Sequence, residues 1–113
     1  METRDTRQGK NVNIQHNLRD KFVYVITVYD QDDNAVDLSE KDITMSIRLK
    51  ENSGALETLT TASEIVVSGA SDNVITCTKN LNLDAKKYFF DIHNDTDDKS
   101  IEDGFLICSY TGR

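Results

Sequence analysis

Apolar and polar residues alternate most strongly in two stretches joined by an acidic turn. Lys21 to Asp30 is β-branched and aromatic almost throughout. Asp42 to Lys50 sets Ile43, Met45, Ile47 and Leu49 against Thr44, Ser46, Arg48 and Lys50. A period of two marks a strand with one buried face and one wet face. A helix would need apolar residues three and four apart, which neither stretch supplies.

The same pattern, weaker, recurs along the chain. Val12, Ile14 and His16 alternate with Asn11, Asn13 and Gln15, predicting a short first strand at a sheet edge. Leu56 to Thr61 predicts a weak edge strand. Glu64 to Val67 and Asn73 to Lys79 predict a hairpin turning at Ser68-Gly69-Ala70-Ser71-Asp72. Tyr88, Phe90 and Ile92 are predicted to face inward, with Lys87, Phe89, Asp91 and His93 outward. Gly104 to Tyr110 predicts the last strand, after a hydrophilic loop over Asn94 to Ser100. Leu81-Asn82-Leu83-Asp84-Ala85 leading into Tyr88 predicts a corner in which the tyrosine hydroxyl bonds back to upstream backbone. About seven to eight such strands with frequent turn signals give an all-β, immunoglobulin-like antiparallel β-sandwich with Greek-key connections.

Met1 to Lys10 has no periodicity and predicts a flexible arm, leaving residues 11–113 as a single sandwich domain. At 113 residues there is room for one core. There is no proline, so the turns must be built from Gly, Asn, Asp and Ser. The formal charge of -7 argues against nucleic acid as a partner. No stretch approaches the roughly 20 apolar residues of a membrane span, and the first ten residues lack the apolar core of a signal peptide. Cytoplasmic synthesis is therefore expected, with Cys77 and Cys108 as buried thiols rather than a bridge between sheets.

No nucleophile elbow, phosphate loop or metal-binding motif is present, so the expectation is no enzyme, no catalytic residue and no cofactor. His16 and His93 have no sequence partner and read as surface or edge residues. Asp30, Asp32, Asn34 and Asp37 alternate as in a calcium loop. Ala35 and Lys41 stand where that loop needs glycine and a bidentate glutamate, so the reading is a structural turn and no metal site. Asp95, Asp97 and Asp98 form a second acidic cluster. Phe89 is a candidate exposed aromatic, with cover by a neighbouring strand or loop the simpler reading.

Taken together, Phe22, Tyr24, Ile26, Val28-Tyr29-Asp30 and Asp32, then Val36-Asp37-Leu38-Ser39, then Ile43, Met45 and Ile47-Arg48 resemble the N-terminal immunoglobulin-like domain of phage baseplate upper proteins and tail-fibre adaptor modules. Tyr88, Phe90-Asp91-Ile92 and the closing Gly104 and Leu106 continue the likeness from about Val12 to Tyr110. Asn34 replaces the usual turn glycine and is expected to take the left-handed conformation in its stead. Members of that family continue into a receptor-binding or fibre region beyond the point where this chain ends. The resemblance implies a virion structural protein of the tail, baseplate or head, assembled in a host bacterial cytoplasm. Its implied partners are other virion proteins and copies of itself, with no nucleic acid and no membrane. The expected docking residues are the basic Arg4, Arg7 and Lys10 of the arm and Val12 and Ile14 of the first strand, opposite in charge to the acidic body. The alternative is a stand-alone carbohydrate-binding or adhesion sandwich, poorly supplied with aromatics.

Overall fold

The structure, a computed structural model, describes residues 4–110. It is a two-layer β-sandwich without helix among the described residues, built from β1 (Arg4–Arg7), β2 (Lys10–Asn17), β3 (Phe22–Tyr29), β4 (Ile43–Arg48), β5 (Ala55–Thr60), β6 (Ile65–Ser68), β7 (Val74–Lys79), β8 (Lys87–Asn94) and β9 (Lys99–Ser109). One sheet has the order β1-β3-β7-β6 and the other β2-β9-β8-β4-β5. Three hairpins, β4–β5, β6–β7 and β8–β9, stay within a sheet, and every other connection crosses between sheets. The two alternating stretches, β3 and β4, therefore lie in opposite layers.

The inward positions of β3 (Phe22, Ile26, Val28), β4 (Ile43, Met45, Ile47) and β8 (Tyr88, Phe90, Ile92) meet in one core with Leu38, Leu59, Ile75 and Leu106. Leu49 falls outside this pattern. It lies past the end of β4 and is 39% exposed, after a register shift at Ile47/Arg48. The corner at Tyr88 forms as expected: its hydroxyl donates to the Asp84 carbonyl at 2.9 Å. Tyr88→Phe should cost about 1 kcal/mol, the net worth of one such bond. A urea midpoint equal to that of the parent would show that the corner is held by packing alone.

The N-terminal segment departs from the expectation of an arm outside the core. Arg4–Arg7 is a strand running parallel to β3 in the register Arg4↔Ile26 to Arg7↔Tyr29. Lys10 opens β2, which runs parallel to β9 from Lys10↔Glu102 to Asn17↔Ser109. Gly9, at φ +83, carries the chain from one sheet to the other, in a conformation that costs glycine little. The parallel pairs make both sheets mixed, and β1 brings the strand count above the expected seven to eight. Residues 1–3 of the predicted arm lie outside the described residues.

The acidic turn also differs in detail. Asp33, not Asn34, takes the left-handed conformation, at φ 67. β9 starts at Lys99, five residues ahead of the expected Gly104, and its pairing with β8 slips between Ile92 and His93. This bulge shifts the phase of the strand. Ile101 and Glu102 are both buried, and from Glu102 onward the even-numbered residues point inward.

Candidate docking interface

The five residues expected to dock are not presented as one surface. Ile14 belongs to the core, and Val12 packs partly against it. The Arg4 guanidinium reaches inward and bonds Glu102 at 2.8 Å and the Tyr24 hydroxyl. The Tyr24 hydroxyl in turn donates to the other Glu102 oxygen. Glu102 is fully buried, while the Arg4 side chain is 40% exposed. Arg4 thus supplies the counter-charge that a buried carboxylate needs. Arg7 pairs with Asp33 at 2.6 Å and lies over the Tyr29 ring at 4.9 Å. Lys10 is exposed and has no ion-pair partner among the described residues. The contrast between basic segment and acidic body is therefore partly satisfied within the molecule.

What the segment does create is an open pair of edges. β1 covers only Ile26–Tyr29 of β3. Among the described residues Phe22–Val25 has a partner strand on the β7 side alone. β2 is the outer strand of its own sheet. These edges line a common groove of about 520 Å³, running past Asn13 to Asn17 on one wall and Phe22 to Val25 on the other, with Arg4 at its end. Unpaired backbone groups on such edges accept an added strand. His16 stands in this groove, half-buried on the edge strand β2, in line with the edge position expected from sequence. Its ring is perpendicular to that of Phe22, with 5.2 Å between centroids, and its Nε2 is buried without a hydrogen-bond partner. Burial holds its pKa below 6.5, against the opposing pull of Asp20.

The acidic loops are closed on themselves. One Asp30 carboxylate oxygen accepts from the amides of Asp32 at 2.8 Å and Asn34 at 3.0 Å, and the Asn34 bond leads in holding this carboxyl below the usual range. Asp37 accepts from the Ser39 hydroxyl and amide, which lower its pKa in that order. At the β8–β9 tip, His93 holds Asp95 at 2.9 Å through Nδ1 and Asp98 at 3.2 Å through Nε2. Thr44 donates to the second Asp95 oxygen at 2.5 Å, and Lys41 pairs with Asp97 at 3.3 Å. No group of three or more metal-ligating side chains comes together among the described residues. Cys77 and Cys108 are free and buried, and burial pushes their thiols up to about 12 and about 11.

The two histidines act on stability with opposite signs. The Asp95 hydrogen bond is the chief cause that raises His93 above 6.5, so its stabilisation is complete below pH 6.5 and is lost as pH rises through the folded value. His16, lowered by burial, destabilises the fold as pH falls below 6.5. Around neutrality the melting temperature should fall as pH rises from 6.5, and His93→Gln should flatten that limb. A limb unchanged in the variant would place its origin elsewhere.

The chain is similar in fold to the N-terminal domain of phage TP901-1 ORF48. The match covers 96% of this chain and 99% of that one, with a TM-score of 0.58 at 9% sequence identity. No protein-family model and no curated protein matches the sequence. At that identity the likeness is one of fold, and it spans both sheets. The β2 edge was expected from sequence; the burial of Glu102 and the open half of β3 were not. The signal available was parity, since Glu102 lies an even number of residues before Gly104, Leu106 and Cys108.

Proposed function

We propose that this chain is a phage or prophage virion structural protein, a small β-sandwich adaptor or decoration subunit that works by docking and not by catalysis. The observation that carries the reading is the match in fold, over nearly the full length of both chains, to a domain of a phage protein. The motif likeness of Phe22 to Arg48 to baseplate upper proteins points the same way. The docking element is the groove between the β2 edge and the uncovered half of β3, where a strand of a neighbouring virion protein or of a second copy adds to the sheet. Lys21 is the exposed basic residue that lines it, and Arg4 lies at its end.

The test is composition of particles. Particles released by the bacterium that carries the gene are purified and assayed by mass spectrometry for this chain. The chain should be present at fixed stoichiometry. Val23→Lys with Val25→Lys, on the outer face of β3 at the open edge, should fold with an unchanged circular dichroism spectrum yet fall out of the particles. Complete particles lacking the parent chain would refute the reading. Normal incorporation of the double variant would remove the groove as docking element.

A further inference from the structure

The outer face of the five-stranded sheet carries a second feature, remote from the core. Register places Asp91 of β8 directly opposite Asp103 of β9. In the next row along the sheet Phe89 stands opposite Phe105, with Arg48 of β4 beyond Phe89. The two rings are in contact, 4.9 Å between centroids and tilted by 46°, and both stay partly exposed. A groove of about 460 Å³ runs along these two rows and is closed by Glu51 and Asn52 from the β4–β5 turn.

This arrangement is charge-frustrated. Like charges directly opposite one another on adjacent strands repel. Asp91, Asp103 and Glu51 all line the groove, and among the described residues Arg48 is its only cationic lining residue. Arg48 Nη1 stands 3.5 Å from Asp91, longer than a good hydrogen bond. Asn11 donates to Asp103 at 2.9 Å but brings no charge. Burial pushes the Asp91 carboxyl above its usual range, and Asp103 adds to the shift while Arg48 opposes it. The aromatic pair beside these carboxylates attracts cations in its own right, and the Lys87 ammonium already lies 4.4 Å from the Phe105 centroid.

We propose that this groove receives an arginine or lysine side chain of a different protein, seated against Phe89 and Phe105 and paired with Asp91 and Asp103. The proposal rests on the reading of the chain as a docking component. A second copy is the wrong occupant for a two-fold contact here, because the patch would meet itself carboxylate to carboxylate. A neutral glycan would leave the repulsion in place. An incoming cation removes it, so charge complementarity favours the basic protein segment.

The experiment titrates the full chain with acetyl-Gly-Arg-Gly-amide and with its Gln counterpart, followed by NMR. Shifts should centre on Phe89, Phe105, Asp91 and Asp103 with the arginine peptide alone, and weaken as salt rises. Asp91→Asn and, separately, Asp103→Asn should each weaken binding about tenfold. Each should also melt no lower than the parent, because one of two repelling charges is gone. Shifts centred elsewhere, or equal responses to both peptides, would overturn the proposal. So would a response of these residues to calcium or to chitotriose but not to the arginine peptide. If particles contain the chain and the peptide finds no site, this inference alone fails. Peptide binding by a chain absent from particles would keep the groove and sink the virion reading.

Discussion

Replacing Gly104 by alanine is expected to cost about 3 kcal/mol, through overpacking combined with a backbone conformation hostile to side chains. Gly104 sits inside β9 at φ +144, and an added Cβ would lie 1.7 Å from the Val12 carbonyl oxygen and 2.8 Å from its carbon. Both neighbours are backbone, so no rotamer change relieves the contact. The β2–β9 ladder must part at Val12↔Gly104. Urea denaturation should show the lowered midpoint, and hydrogen exchange should speed up first at the β2 amides. Gly54→Ala is the control, with nothing within 4 Å of its added Cβ, and should shift stability by no more than about 0.5 kcal/mol. Equal midpoints for the two variants would mean that β2 does not pack on β9 as described.

Arg4→Ala should be the second most damaging change, about 2 kcal/mol. Removing one partner of a fully buried pair costs roughly 3–5 kcal/mol, and solvent reaching the 40% exposed Arg4 side chain reduces that figure. Glu102 would keep only the Tyr24 hydroxyl inside the sandwich. In a Glu102→Gln background the same Arg4→Ala substitution should cost much less, because no buried charge is left uncompensated. A double-mutant cycle by urea denaturation measures the coupling. Strict additivity would show that Arg4 contributes packing and not charge.

Most of the sandwich was legible because most strands bury one face, and a buried face writes itself as alternation. Ile43, Met45 and Ile47 are an example, and so are Tyr88, Phe90 and Ile92. β1 was not legible because Arg4-Asp5-Thr6-Arg7 has no apolar residue. Only Thr6 is buried, and the strand is held by its backbone ladder to β3 and by Arg4. Glu102 keeps the parity of Gly104, Leu106 and Cys108, but a carboxylate at an inward position reads as a wet-face residue, and the bulge just ahead of it buries Ile101 out of phase. The Asp91–Asp103 pair cannot be read from either strand alone. It depends on the β8–β9 register, and the slip after Ile92 moves that register by one residue. The tyrosine corner was readable because all its chemistry lies within five residues.

The partnership of β2 with β9 has a consequence for how the chain reaches its fold. Asn11 and Asp103, bonded side chain to side chain, are 92 positions apart. During translation β2 leaves the ribosome long before the strand it pairs with exists. Closing so long a loop is slow, and contacts of such high sequence separation delay folding. Until Lys99–Ser109 has been made, the nascent chain therefore carries β2 without its partner strand, a period in which that edge is open to pairing with other chains. Polar Asn11, Asn13, Gln15 and Asn17 along that edge make it a poor template for aggregation while it waits.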